Sequence, residues 1–493
     1  MYSALGLLTA NALVLCADYL ANARIESQYF KCPAGLHFPG AIAPFGYENT
    51  NWMHMHLQGS FAALPIIWHW EYTRNSSFLT DGSFATADPT ATPYALMKGI
   101  SEWWVCHLTK ETTGGGSSPA DDTSYLYSDL DDCSQEDLNY YNRPFRFSQT
   151  DNVCNATAYR SPFNITLINA TTPAQANPAV LRNPQIALGF IRKVLGAAIA
   201  ASTVLGLDAD LRKGWQDRVD HLAPFPRAAI PDPCQWPTPE SHNHGKDYPA
   251  HCIGPTSTNS SSRQIKVLLE MEHPPTLVSE GIPSGGNPIC FQGIFPGEGI
   301  GVDSPVAERE IARQTVETVG AMGAWGQSNS FPETINAAVR SGLDPRWILG
   351  NLSSVMDVVM PKNALGVEGQ ECAGASQAIN DMLCSSYGGY IALFERWPVG
   401  ENASFTTLRA KGGFLVSAAL RSGVVDSVVI TSEAGEPAIL ATPWVSSGSH
   451  SLSVIDVATG ASVGVRGDAV AGTFRWNTTA GRTYAVSRQP TTI

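Results

Sequence analysis

From about residue 50 to residue 395 the apolar positions of the chain recur mainly at helical spacing, and beyond Pro398 they alternate. In PQIALGFIRKVLGAAIAASTVL, residues 184–205, Ile186, Phe190, Val194 and Ala198 fall four apart and Gly206 follows as a C-cap, which predicts a helix. DSPVAEREIARQTVETVG predicts another, with Ser304 as N-cap, Pro305 at the first helical position, Glu308 and Glu310 in the opening turns and Gly320 as the stop. GSFAALPIIWHWEYTR, YALMKGISEWWVCHLTK, FPETINAAVRSG, DPRWILGNLSSVMDVV and GASQAINDMLCSSYG read as further helices, arranged in pairs. GGFLVSAALRSGVVDSVVITS reads as two strands joined by a turn at Arg421–Gly423, and SLSVIDVATGASVGV repeats that pattern. The last hundred or so residues are therefore expected to form an antiparallel β-sandwich. Between 225 and 290, Pro, Ser, His and Asn loops prevail and no period is usable.

The N-terminal MYSALGLLTANALVLCADYLANAR is apolar at first, has no Lys or Arg before its apolar stretch, and continues at helical spacing into Asp18 and Asn22. It suits an amphipathic helix as well as a signal peptide. No run of 18 or more apolar residues occurs elsewhere, so no membrane span is expected.

At 493 residues the chain exceeds what one core holds, so two units or more are expected. With 43% hydrophobic and 15% charged residues the balance is that of a globular protein. A net charge of -13 excludes a nucleic-acid backbone as the main partner and favours a neutral substrate. None of the ten cysteines forms a Cys-x-x-Cys pair; Cys133/Cys154 and Cys234/Cys252 lie in loop-like sequence suited to short-range disulfides, with buried free thiols as the alternative. Asn75, Asn155, Asn164, Asn169, Asn259, Asn351, Asn402 and Asn477 each begin an Asn-x-Ser/Thr acceptor, which points to a secreted, glycosylated protein.

Glycoside hydrolysis needs two carboxylates facing across a cleft, so acids outside ordinary helix surface are the first candidates. SDLDDCSQEDLNYYNRPF holds Asp129, Asp131, Asp132, Glu136 and Asp137 beside Tyr140 and Tyr141; the plain alternative for each acid is a solvated loop charge or a helix cap. LGVEGQECAG sets Glu368 and Glu371 among Gly366, Gly369 and Gly374, where tight turns and close backbone approach are possible. FGYENTNWMHMHLQG gathers Glu48, Asn49, Asn51, Trp52, His54 and His56, the amides, imidazoles and indole that a sugar ring needs, or else a capped helix start with a buried Trp. Gln292 and Glu298 in FQGIFPGEGIGVDSP, and Trp325, Gln327 and Asn329 in GAWGQSNSFPE, are further polar and aromatic candidates. His54-x-His56 and the trio His242, His244 and His251 lack known zinc spacing, so no metal is expected. PGEGIG lacks the Lys and the preceding strand of a phosphate loop, and no Gly-x-Ser-x-Gly elbow occurs, so neither a nucleotide cofactor nor a serine hydrolase is expected.

In order along the chain, these pieces resemble the six-hairpin glycosidases, most closely the α-L-fucosidases of glycoside hydrolase family 95. IIWHWEYTRNSSFL is similar to that family's Trp-Glu-His-Tyr helix, LGAAIAASTVLGLDADLRKGWQDRVDHLAPFP to the helix pair after its acid loop, and GIFPG to its Leu-Tyr-Pro-Gly loop. ASFTTLRAKGGFLVSAAL, the most specific match, resembles the start of its C-terminal β-domain. The resemblance implies an (α/α)6 toroid over residues 1–395, N-terminally incomplete, followed by a β-sandwich over 396–493. It also implies an inverting mechanism on a terminal sugar of an oligosaccharide or glycoconjugate, without a cofactor. Val367-Glu368-Gly369-Gln370 matches the family's general-base stretch, which nominates Glu368 as base, and Ser134-Gln135-Glu136 matches its acid turn, which nominates Glu136 as acid. Glu48, Asn49, Asn51, Trp52, His54, Gln292, Trp325 and Gln327 are the expected sugar contacts, Asn49, Asn51 and Trp52 by their match to a substrate-binding segment. Glu stands at 368 and Asn at 51 where the family has Asp, and Glu at 48 where it has His, changes that suit another sugar or a weakened enzyme. A carbohydrate-binding relative on the same scaffold is the alternative; a polysaccharide lyase would need a basic cleft that this acidic chain disfavours.

Overall fold

The computed structural model describes residues 17–38, 56–82, 91–112, 125–132, 166–168, 180–232, 264–272, 277, 288–301, 303–321, 324–326, 331–359, 374–444, 452–468 and 472–488. The fold is mixed α and β, and it divides into two compact units. The first takes the chain to Trp68, Ser76–Gly299 and Gln314–Ala324; the second takes His69–Asn75, Ile300–Arg313 and Trp325 onward.

Helices α1 (Ala17–Tyr29), α2 (Gln58–Thr73), α3 (Ser76–Thr80) and α4 (Pro93–His107) come first. Thr92 caps α4 by accepting from the Ala95 N–H, and Pro93 occupies its first turn, where the missing N–H costs nothing. The long apolar run then forms α5 (Gln185–Leu205), which pairs with the largely polar α6 (Ala209–Asp220). Gly206 ends α5 in the left-handed conformation expected of it, and its N–H reaches the Ser202 and Thr203 carbonyls. Trp215 of α6 is fully buried and donates to Glu102 of α4 at 2.6 Å, while Asp208, between the paired helices, accepts from Tyr94 and Lys98 of α4 at 2.7 Å each. Among the described residues α5 alone is long and apolar enough to cross a membrane, and most of its residues are buried within the protein.

Short antiparallel strands fill the connections where no period was visible. β1 (Thr109–Thr112) pairs with β2 (Tyr125–Ser128), and β3 (Leu130–Asp132) with β5 (Val180–Arg182). β4 (Thr166–Ile168), β6 (Arg227–Pro231) and β7 (Gln264–Leu268) form a three-stranded sheet with β6 in the middle. The reading of 225–290 as loop alone therefore gives way to two strands, β6 and β7, each of five residues and so too short to show a period. At the outer edge of β7 the Lys266 N–H donates to Gln314 and the Leu268 N–H to Thr315, so side chains satisfy donors that a further strand would otherwise take.

Among the described residues the second unit holds α8 (Phe331–Ser341), α9 (Pro345–Val359) and α10 (Ala375–Leu383), together with ten strands; α7 (Val306–Ala321) falls partly in each unit. Contrary to expectation, Ser304 does not cap α7: its hydroxyl accepts from the Gly301 N–H, and the Pro305 carbonyl takes the first helical bonds, from Glu308 and Arg309. The described helix runs to Ala321, one residue past the expected stop at Gly320. β8 (Cys384–Ser385) and β9 (Ala392–Leu393) form a small pair. β10 (Ala403–Ala410), β11 (Phe414–Arg421), β12 (Val424–Ser432), β13 (Ala438–Ala441), β14 (Leu452–Asp456), β15 (Arg466–Asp468), β16 (Thr473–Trp476) and β17 (Arg482–Arg488) make one five-stranded sheet, ordered β10-β11-β12-β17-β14, and one three-stranded sheet, β13-β16-β15. Phe405, Val416 and Ile430 of the larger sheet share one apolar cluster with Leu440 and Trp476 of the smaller.

The turn between β11 and β12 consists of Ser422 and Gly423, both with positive φ, as a two-residue hairpin connection requires. The second expected hairpin does not form in full: after β14 the chain makes an isolated bridge, Ile455 with Ser462, and the next strand pairs elsewhere. Arg340 of α8 and Asp381 of α10 meet in the interior at 3.0 Å, with Gln377 donating to the second carboxylate oxygen at 2.6 Å. Such a pair fixes orientation more than it adds stability.

In the first unit, three glycines let the Gly/Pro loop around 292–299 lie directly on α5. A Cβ at Gly297 would stand 2.6 Å from the Gln292 carbonyl oxygen and 3.2 Å from the Gly189 Cα, whereas a Cβ at Gly196, further along α5, meets nothing within 4 Å. Gly297→Ala is expected to cost about 1–3 kcal/mol through backbone overpacking, and Gly196→Ala to add up to about 1 kcal/mol through helix propensity; urea unfolding of the two variants checks the opposite signs.

Candidate functional site

Glu48, Asn49, Asn51, Trp52, His54, Glu136, Gln327 and Glu368 lie outside the described residues, as do Asp137 and Glu371 and the cysteines 133, 154, 234 and 252. The trio His242, His244 and His251, which was not expected to hold a metal, lies outside them as well. Gln292 and Trp325 are described. Gln292 is buried in the first unit, where its carbonyl accepts from the Gly297 N–H at 2.8 Å and so closes the Gly/Pro turn. Beside it, Lys193 of α5 and Glu298 form a buried ion pair, which gives Glu298 a local partner in place of a sugar. Trp325 belongs to the second unit, is buried, and stands edge-on to Trp347 at 5.0 Å.

In the first unit, the described residues bring together titratable side chains that sequence spacing did not connect. His107 is the last residue of α4, His56 precedes α2, and Asp129 sits between β2 and β3. Asp129 is 2% exposed; its Oδ1 lies 3.2 Å from His107 Nε2 and 3.8 Å from His56 Nδ1. Phe30, Trp103 and His37 close around the three: Trp103 stacks on His107 with centroids 4.5 Å apart and planes 11° apart, and the Phe30 ring stands edge-on to His56 at 5.4 Å. His37 lies with its ring centroid 4.6 Å from Trp103 and 6.0 Å from His56.

Local structure makes this convergence reproducible. The loop after α1 is wedged against α4, with Leu36 N–H bonded to the Gly99 carbonyl at 2.8 Å and His37 N–H to the Ala23 carbonyl at 3.1 Å. Gly35 is required by proximity, since a Cβ there would stand 2.5 Å from the Trp103 Cα. A disulfide, Cys32–Cys106, ties the same loop to the end of α4 and joins residues 74 apart; among the described residues Cys290 and Cys384 are buried free thiols. On the other side, the main chain of Asp129 is held twice by Asn183: its N–H donates to Asn183 Oδ1 at 3.1 Å, and its carbonyl accepts from the Asn183 N–H at 2.9 Å. Asn183, with φ of 51°, then donates through Nδ2 to the buried Glu272 at 2.7 Å, and Arg182 bridges Glu272 and Glu111. A buried polar network thus supports the loop that presents Asp129.

Burial opposes ionisation of Asp129, but hydrogen bonds from His107 and His56 and the fields of both rings outweigh it, holding the carboxyl well below the usual carboxylate range. Burial pushes His37 well below the ordinary histidine range, and His56 and His107 add to the shift, so His37 is neutral. The arrangement can hold an anion against imidazoles, relay a proton between rings, or offer two nitrogens and an oxygen to a cation. His107, Asp129 and His37 were not singled out as a group by the sequence; the close packing at Gly35 and Gly99 of α4 is the nearest local signal, because both glycines sit where the loop and α4 touch.

Both shifts act in the same direction on stability. Below about pH 6.5 the unfolded chain protonates His37 while the folded one does not, so stability falls by at most about 1.4 kcal/mol per pH unit; below about pH 3.9 Asp129 adds a second loss, as its folded pKa is the lower one. In urea titrations at a series of pH values, His37→Asn is expected to flatten the first window and leave the second.

No family model and no curated protein matches the chain. Among solved structures it is similar to a putative kojibiose phosphorylase from human microbiome, with 10% identity and a TM-score of 0.42 over 86% of this chain and 53% of that one. The chain spans about half the length of that protein.

Proposed function

We propose that the chain is a carbohydrate-active enzyme of the six-hairpin glycosidase kind. It hydrolyses, with inversion, the bond to a terminal sugar of an oligosaccharide or glycoconjugate, an α-L-fucoside or a related glycoside. The division into a toroidal catalytic region up to 395 and a β-sandwich beyond it is part of the same reading. One observation carries it: His56 ends the segment nominated for sugar binding, Asp129 begins the acid-rich segment of Glu136, and their side chains lie 3.8 Å apart. Two segments nominated independently thus enter the first unit at one place. The α5/α6 pair and the β10/β11 hairpin, both in stretches that carry the family resemblance, lend further support.

In this reading Glu136 protonates the departing glycosidic oxygen and Glu368 activates a water on the opposite face. Inversion requires about 6.5–9.5 Å between the two carboxyl groups, with the acid kept protonated by burial. Glu368, one methylene longer than the family's Asp, must come from a backbone set further back, since misplacement near 1 Å is costly. Asn49, Asn51, Trp52, Glu48, His54, Gln292, Trp325 and Gln327 are the proposed sugar contacts. The purified protein is to be screened against nitrophenyl glycosides and fucosylated oligosaccharides, with the anomer of the first product read by NMR. Glu368→Gln and Glu136→Gln are expected to lower kcat by a hundredfold or more, in the range that general acid–base groups supply, whereas Glu371→Gln lowers it less. No turnover by the unmodified protein, with sugar binding retained, favours a carbohydrate-binding relative instead.

Secretion is proposed on the same footing. Asn75, Asn402 and Asn477 are exposed, whereas the Asn351 Nδ2, the atom a glycan would occupy, donates to the Trp347 carbonyl within α9 at 3.0 Å. Expression through a secretory pathway is expected to give glycan at the first three positions and little at Asn351, as read by mass spectrometry after deglycosylation in heavy-oxygen water.

A further inference from the structure

The cluster described above has a donor set that hydrogen bonding alone leaves unbalanced. Asp129 is buried, and among the described residues its charge is met by imidazoles, with no lysine or arginine paired to it. His37 is buried as well, and neither of its ring nitrogens has a hydrogen-bond partner among the described residues. A buried polar group left so costs about 1–3 kcal/mol, and native interiors rarely keep one without a reason.

We propose that His56, His107 and Asp129 bind a divalent transition-metal ion of the zinc class, with a metal-bound water in the fourth position that hydrogen-bonds to His37. One ligand atom from each of the three residues lies within 4.8 Å of the others. A tetrahedral ion with bonds of about 2.0–2.1 Å keeps its ligands roughly 3.3 Å apart. The contacts of Asp129 Oδ1, 3.2 Å to His107 Nε2 and 3.8 Å to His56 Nδ1, already bracket that value, so the two carboxylate–imidazole edges have the length such a site needs. Two neutral imidazoles and one carboxylate are donors suited to zinc and its neighbours, rather than to calcium or magnesium, which prefer oxygen alone. The main chain at Asp129 is held by Asn183, itself anchored on Glu272, and the indole of Trp103 stacks on His107, so the backbone of one ligand and the ring plane of another are set before an ion arrives.

The ligands come from three elements: the residue before the α2 turn, the end of α4, and the β2–β3 connection. An ion there fastens the segment that enters at His56 to the one that leaves at Asp129. Its role is therefore to hold these segments in place, and it stands apart from the proposed pair Glu136 and Glu368; zinc binding can succeed or fail whatever the glycosidase assays return.

The test uses the full chain, expressed without a polyhistidine tag, stripped with EDTA and dialysed. Titration with Zn2+, followed by calorimetry and elemental analysis, is expected to give one ion per chain and a raised Tm; Asp129→Asn and His107→Gln are expected to weaken binding at least tenfold, while His221→Gln, outside the cluster, leaves it unchanged. Because a cluster variant can lose its fold, Co2+ is also loaded into the unmodified protein. The visible spectrum of a tetrahedral nitrogen/oxygen site, without thiolate charge transfer, supports the assignment. A spectrum like that of hydrated Co2+, a thiolate band, or Zn2+ affinity equal in folded Asp129→Asn and unmodified protein overturns it.

Discussion

One buried carboxylate ties three segments of the first unit together. Asp129 stands away from water with imidazoles for company, and an ionised group in that position is tolerated only if every neighbour contributes to it. The neighbours do so from two directions. His56 and His107 meet the side chain, while Asn183 holds the main chain on both sides and passes the constraint to Glu272 and Arg182. The end of α4, the start of α2 and the β2–β3 connection are therefore not free to shift independently, since a displacement of any one would strip the charge of part of its surroundings.

Much of the fold was legible where one element decided its own structure. α5 has an unbroken apolar period and a glycine in the right place to end it, and the β11/β12 hairpin has both alternation and a two-residue turn with Gly423. The failures share a cause. Ser304 carries the residue type of a helix signal, but its hydroxyl is engaged by the Gly301 N–H. β6 and β7 have five residues each, and their pairing depends on a partner a long way off in sequence, with helix side chains completing the edge. Local pattern cannot register such tertiary decisions.

The candidate site was less legible than the fold. His56 stood out in the sequence beside His54, at a spacing that suggested little, yet its partners in space are His107 and Asp129, which belong to other elements. Asp129 looked like one acid among several in a polar run, and nothing in that run marks it as the one turned inward. Gln292 and Glu298 were noticed for their chemistry, and the structure gives them architectural work: one closes a turn, the other pairs with Lys193. Chemistry-bearing residue types in glycine-rich sequence thus mark places where backbones approach closely, and closeness serves packing as readily as it serves a substrate.

The disulfide between Cys32 and Cys106 adds an order of events to this arrangement. Its second cysteine directly precedes His107, and both of its cysteines leave the ribosome before Asp129 does. During vectorial synthesis the imidazole corner can therefore be tied together while it still lacks its carboxylate, and the acid-rich segment arrives at a prepared socket. In a reducing environment that tie is absent, and the carboxylate must gather its histidines unaided.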